Sequence, residues 1–108
     1  MKYLIAMAAA AALWSSSASA DAMDDTLKAR ELGQIVGSAD ICKYALDAEK
    51  VSGLVSDALA AMDPMSRSAY EPGLGAQKVR LQKMPEVERK VACATQQKLA
   101  AKYGVLAK

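Results

Sequence analysis

Sulfur-bearing side chains offer the first candidates for chemistry, since the chain has two cysteines and six methionines. Met62 and Met65 are separated by two residues, and the thioether is a soft ligand suited to copper(I). Met84 would add a third sulfur if the helices that carry these residues fold back on each other. The alternative is ordinary packing, because methionine readily fills gaps in protein cores. We expect packing and keep a copper(I)-binding module as an alternative function.

Histidine is absent from the chain, and its absence excludes several kinds of catalytic site. Without it there is no Ser-His-Asp or Cys-His catalysis, and the commonest zinc ligand is missing. Neighbouring acids such as Asp24 and Asp25 do not share a helix face, and acids near a helix start stabilise its dipole. The Gly73-Leu74-Gly75 segment lacks the third glycine of a phosphate-binding loop. We therefore predict no catalytic residue, no cofactor and no enzymatic activity.

The first twenty residues have the pattern of a secretory signal peptide. Lys2 supplies a positive start, and the stretch from Leu4 to Trp14 is uncharged and rich in alanine. The tripeptide Ala18-Ser19-Ala20 has the small-residue form that a signal peptidase requires, and the acidic Asp21 follows it. We predict cleavage between Ala20 and Asp21, which leaves one domain over residues 21–108 in a periplasmic or secreted location.

An uncleaved membrane anchor is the alternative interpretation of this segment. A spanning helix needs about 20 strongly apolar residues, and the stretch from Leu4 to Trp14 is shorter than that. We therefore expect no transmembrane segment in the mature chain.

Export would place Cys42 and Cys93 in a compartment where disulfides persist. No C-x-x-C spacing marks either cysteine for redox work, so we predict a disulfide between them, with two free redox thiols as the alternative. Closing a loop of about fifty residues would stabilise the fold by about 4 kcal/mol. That is a large contribution for a domain with a small core.

The elements that position these residues are predicted to be helices. Phenylalanine is absent, β-branched residues are sparse, and the strong helix formers alanine, lysine, leucine and methionine dominate. We expect an all-α bundle of about four short helices with one disulfide. The first helix should begin near Asp24 or Asp25 and run to Val36, with Gly37-Ser38 interrupting it and Asp40 capping a short turn that carries Cys42.

The second helix has the clearest pattern in the chain. Asp47 is its predicted N-cap, and one apolar stripe recurs with helical spacing and should be buried. The stripe consists of Val51, Leu54, Val55, Ala58, Leu59 and Met62.

Prolines divide the chain beyond the second helix into further helices. Asp63-Pro64 marks the end of the second helix and the start of the third. Pro72 either kinks this third helix, which ends at Met84, or begins a helix itself. We favour a kinked or broken third helix. Pro85 opens the fourth helix, which should end at Gly104. The apolar residues of that last helix lie on two sides, which would allow both to be covered.

Charge is unevenly distributed along the chain. Residues 21–63 contain four basic and nine acidic residues, whereas residues 64–108 contain nine basic and three acidic ones. The two halves could pack together and neutralise each other, or the basic half could meet an anionic partner. The candidate basic face consists of Lys78, Arg80, Lys83, Arg89, Lys90, Lys98 and Lys102. Few aromatic residues are available to stack on bases, so nucleic acid is not an expected partner.

Several short segments carry a resemblance to known proteins. The residues Ala29-Arg30-Glu31-Leu32-Gly33, Cys42 with Leu46, Ala92-Cys93 and Tyr103-Gly104 resemble a group of small exported two-cysteine helical proteins of rhizobial-type alphaproteobacteria, which have no assigned function. The layout is also similar to that of the HdeA-type periplasmic acid-stress chaperones, through Cys42 with Leu46 and Ala92-Cys93 with Gln96. The resemblance implies a helical, disulfide-linked domain and assigns no functional residue.

These observations predict an exported, non-enzymatic protein of the envelope that interacts with another protein or envelope component, or responds to stress. The layout suggests one alternative, an acid-activated chaperone, because twelve carboxylates would lose their charge in strong acid and self-repulsion would loosen the fold. A second is a binder of anionic surfaces that uses the basic half. The sequence leaves the identity of the partner and the oligomeric state open.

Overall fold

One long helix, α1 (Lys2–Cys42), is the element against which all the others pack. It is followed by α2 (Ala48–Ala60), α3 (Pro64–Arg67), α4 (Tyr70–Lys83) and α5 (Glu86–Lys102). The computed structural model describes residues 2–108, and their side chains from residue 22 onward. The all-α bundle with one disulfide is confirmed.

The predicted signal peptide and the Ala20–Asp21 junction lie outside the described side chains, so cleavage there stays a prediction. In the part of the chain that the structure describes, no helix has both the length and the apolar character needed to cross a bilayer.

Helices α1 and α4 pack with their backbones in direct contact. A methyl group added at Gly33 would collide with the Tyr70 carbonyl oxygen and lie 2.9 Å from the Leu74 nitrogen. One added at Gly37 would collide with the Leu74 carbonyl oxygen. From the other helix, a methyl at Gly73 would lie 2.8 Å from the Arg30 carbonyl oxygen. Glycine is therefore needed on both helices, because a side chain at these positions would force α4 away from α1.

This close packing overturns the predicted break at Gly37-Ser38. Helix α1 runs through both residues to Cys42, so Asp40 lies inside it and caps no turn. The Ser38 hydroxyl is fully buried and donates to the Gln34 carbonyl oxygen at 2.6 Å, which satisfies it within the helix. A glycine-serine pair that is typical of a helix end is here a site of helix packing.

The end of α1 is joined to the C-terminal tail. Lys43 takes a left-handed conformation with φ 59°, and the Tyr44 N–H bonds back to the Ala39 carbonyl at 3.2 Å. The following residues pair with the tail: the Asp47 N–H donates to the Val105 carbonyl at 2.8 Å. The main core cluster forms beneath this pairing and contains Ile35, Tyr44, Ala100 and Val105.

Helix α2 begins as predicted but is less buried than predicted. The Asp47 carboxylate accepts from the Lys50 N–H at 3.1 Å, which confirms the cap. No residue within α2 is buried, and of the predicted stripe only Met62, just beyond the helix, is buried. The reason is that α2 contacts α1 only lightly, so that its apolar residues are half-covered.

The three prolines lie at the beginnings of helices. The Asp63 carboxylate accepts from the Ser66 N–H at 2.7 Å and caps α3, whose first residue is Pro64. The predicted third helix is broken into α3 and α4, and Pro72 occupies the first turn of α4, where a missing N–H leaves no hydrogen bond unmade. Helix α5 starts after Pro85, and Gly104 follows it with φ 73°, both as predicted.

Tyr44 is a buried residue of the main core cluster, and its hydroxyl makes the free energy of unfolding depend on pH in the alkaline range. Its hydroxyl donates to the Ile35 carbonyl oxygen, and burial raises its pKa from 10.0 to about 12, with the Ser38 hydroxyl opposing the shift. Because the unfolded chain loses this proton first, Tyr44 alone should lower the free energy of unfolding by about 2 kcal/mol between pH 8 and pH 11.5. Urea denaturation at both pH values measures the fall.

The Tyr44→Phe variant is the control for this pH dependence. It lacks the titrating group, so its loss of stability over the same pH range should be smaller by about 2 kcal/mol. Tyr70 and Tyr103, whose pKa values burial also raises, contribute to both proteins. Equal losses in the wild type and the variant would contradict the assignment to Tyr44.

Candidate functional site

An open cleft separates α4 from α5. Both helices pack on α1, yet they barely touch each other. The cleft consists of two hollows that share Arg80 as a lining residue. One hollow, of about 180 Å³, is lined by α1 and α4 and includes Arg30, Gln34 and Gln77. The other, of about 410 Å³, lies between α4 and α5. It is lined by Arg80, Met84, Val87, Glu88, Val91, Ala92, Thr95 and Gln96. We call these two hollows together the α4–α5 cleft.

Two buried glutamine amides lie in this cleft. Gln77 is 2 % exposed and Gln96 is 9 % exposed. Among the described residues, Gln77 Nε2 and Gln96 Oε1 have no hydrogen-bond partner. A buried polar atom left unpaired costs about 1–3 kcal/mol, so leucine or methionine at either position would suit a purely structural role better. The unpaired atoms themselves are covered, so neither amide offers this donor or acceptor to the open space of the cleft.

Apolar side chains form the outer rim of the cleft. Val87 is 74 % exposed and Val91 is 63 % exposed, and Ala94, one turn further along α5, is exposed as well. These residues lie on the side of α5 opposite the buried Gln96 and Ala100. The structure thus covers only one of the two apolar sides of this helix, which leaves the valine side open to a partner.

Basic side chains surround the rim. Of the seven predicted basic-face residues, Arg89 is half-buried and the other six are exposed. Within residues 22–108 the single ion pair joins Lys90 and Glu86 at 3.5 Å on one exposed turn of α5. The acidic and basic halves therefore do not neutralise each other through ion pairs in this part of the chain, and Arg80 makes no ion pair there.

The three methionines of the alternative copper site have different surroundings. Met62 is buried, whereas Met65 is 84 % exposed. Met84 lies at the far end of α4, and the 14 residues of that helix span about 20 Å. The described residues also contain no group of three His, Cys, Asp or Glu side chains that could hold a metal ion.

The two cysteines form the predicted disulfide. Cys42 at the end of α1 is bonded to Cys93 in α5, and no free cysteine remains among the described residues. Because Gln96 and Val91 are within one turn of Cys93, the disulfide also holds the α5 wall of the cleft against α1.

Gln77 and Gln96 were not predicted as site residues from the sequence. Gln77 lies four residues from both Gly73 and Leu81, which are buried, so it is a polar residue on a buried helix face. Gln96 has the same relation to Ala100. The sequence signal was therefore present, but it becomes visible only once the buried face of each helix is known.

Comparison with known proteins found no family model, no curated protein and no solved structure that matches this chain. The resemblance to exported two-cysteine helical proteins accordingly stays a prediction.

Proposed function

We propose that this is an exported, non-enzymatic interaction protein of the cell envelope that binds other polypeptides through the α4–α5 cleft. The observation that carries the proposal is the exposure of Val87 and Val91 beside an open cleft whose surroundings are basic. Exposed apolar side chains that are rimmed by polar ones are typical of protein-binding surfaces. The disulfide is consistent with the extracytoplasmic location that the proposal requires.

Charge complementarity favours an acidic partner. Nine basic residues lie in residues 64–108, against three acidic ones. A basic surface attracts acidic proteins over a distance set by the Debye length and raises their association rate. Binding should therefore weaken as the salt concentration increases.

Site-specific photo-crosslinking tests the proposal in cells. A photoreactive amino acid at position 91 should yield covalent adducts with envelope proteins, and the Val87→Asp change should reduce these adducts by at least about tenfold, the effect of losing roughly 1.4 kcal/mol of binding energy. The same photoreactive group at Val79, which is also exposed but lines neither hollow of the cleft, is the matched control.

The expected result is a set of adducts from position 91 that position 79 does not give. Circular dichroism must show that Val87→Asp keeps the wild-type thermal midpoint, which the exposure of Val87 leads us to expect. The same adducts from both positions, or no adduct from position 91, would show that the cleft is not a protein-binding surface.

A further inference from the structure

We infer that this protein associates head to tail with further copies of itself, and that the valine face of α5 in one copy packs on the acidic end of the next. The valine face consists of Val87 and Val91. The acidic end is formed by residues 22–28 of α1 and residues 57–67, which include α3. The inference rests on the proposed function and names the partner as a second copy of this chain. It is carried by two exposed apolar surfaces whose surroundings differ in the sign of their charge.

Exposed apolar side chains are concentrated on these two surfaces. Among residues 22–108, six large apolar side chains are exposed. Three of them belong to the acidic end, and each is more than half exposed: Met23, Leu27 and Met65. Two more form the valine face, and only Val79 lies elsewhere. Both surfaces would be covered at once if each packed on the other in a neighbouring copy.

Contacts between α1 and α3 hold the acidic end in place. The Ser66 hydroxyl lies 3.3 Å from the Thr26 hydroxyl and 3.4 Å from the Ala22 carbonyl oxygen. Thr26 is half-buried by these contacts, whereas Met23 and Leu27 are exposed. Met23 and Leu27 are four residues apart and form a ridge on the helix, as the two valines do on α5. Ridges of this spacing interdigitate when two helices pack.

Charge favours contact between the two unlike surfaces. Residues 80–98, which carry the valine face, contain five basic and two acidic residues. The acidic end contains four acidic residues and two basic ones, and one of these bases, Arg67, donates to the Met62 carbonyl oxygen at 3.1 Å. Two valine faces packed together would set the basic surroundings of one copy against those of the other. A valine face on an acidic end brings opposite charges together instead.

The two surfaces lie at opposite ends of α1, so one chain cannot join its own. Val91 is within one turn of Cys93, whose Cα atom lies 5.2 Å from that of Cys42 at the C-terminal end of α1. Leu27 lies about 22 Å from Cys42 along the axis of the same helix. The contact must therefore form between copies. A contact between different surfaces of successive copies builds chains or rings, and the smallest ring has two members.

Sedimentation equilibrium of the disulfide-bonded protein tests this inference. Over about a hundredfold range of concentration, the average mass of the wild type should rise above that of the monomer. Leu27→Gln and Val91→Gln each replace an exposed apolar side chain by a neutral polar one, and each should weaken the association at least about tenfold. Val79→Gln, at the exposed valine outside both surfaces, is the matched control and should associate like the wild type. All three variants should keep the wild-type thermal midpoint.

Mixing two variants separates this contact from a symmetric one. Leu27→Gln keeps an intact valine face, and Val91→Gln keeps an intact acidic end. An equimolar mixture should therefore form a heterodimer, which neither variant forms with itself. A contact between two valine faces would be insensitive to Leu27→Gln and would not be restored by mixing. A photoreactive group at position 91 should also yield an adduct of two copies whose crosslinked peptide contains Leu27.

Three results would overturn the inference. The first is a wild type that stays monomeric over the whole range of concentration. The second is unchanged association in Leu27→Gln, which would exclude the acidic end as the partner surface. The third is a mixture that is as monomeric as its two components. In each case, adducts between position 91 and other envelope proteins would still uphold the proposed function, whereas the absence of any adduct would contradict both.

Discussion

Replacing Gly33 by alanine is expected to lower the free energy of unfolding by about 3 kcal/mol, although alanine is the better helix former. The added methyl group would meet the Tyr70 carbonyl oxygen and the Leu74 nitrogen, which are backbone atoms that cannot rotate away. Helix α4 must then move away from α1 and lose packing along its buried face. Urea denaturation followed by circular dichroism measures the change.

Two other glycines provide matched controls. Gly53 in α2 and Gly75 in α4 have no atom within 4 Å of an added methyl group. Gly53→Ala and Gly75→Ala should therefore stabilise the protein by up to about 1 kcal/mol through helix propensity alone. If Gly33→Ala were as stable as Gly75→Ala, the backbone contact between α1 and α4 would not exist in solution.

Removing the disulfide should have the largest effect of any change considered. In the Cys42→Ala, Cys93→Ala double variant we expect a loss of about 4 kcal/mol, because the bond closes a long loop of the unfolded chain. The two cysteines are 51 residues apart in sequence. The domain has a small core, so the loss is comparable to the total stability of a marginal protein. The midpoint of urea denaturation measures it.

Reduction of the wild-type protein is the control for the alanine substitutions. Dithiothreitol should lower the midpoint of the wild type to that of the double variant and leave the double variant unchanged. A wild-type midpoint that does not respond to reductant would mean that the disulfide contributes little to stability.

The glycine contacts and the disulfide each fix one wall of the α4–α5 cleft to α1. Helix α4 is fixed to α1 by the glycine contacts at Gly33, Gly37 and Gly73. Helix α5 is fixed to α1 by the disulfide and by the core around Ala100. Because each wall is attached to α1 and barely touches the other, the cleft between them stays open.

Much of the local structure could be predicted from the sequence. The cap at Asp47, the restart at Asp63-Pro64 and the stop at Gly104 all lie where the residue types indicate. Each depends on a hydrogen bond or a backbone angle within a few residues, so the information is local. The disulfide was also predictable, because the chain has only two cysteines.

The sequence by itself therefore determined the helical class and the cap at Asp47, which short-range chemistry sets, and the covalent link, because the chain has only two cysteines. Only the tertiary structure decided that Gly37-Ser38 continues a helix, that the α2 stripe is half-covered, and that Gln77 and Gln96 are buried in a cleft. The physical reason is that these features depend on which helix lies against which. A glycine breaks a helix or admits a neighbour, and a glutamine is solvated or buried, according to contacts with residues distant in the chain.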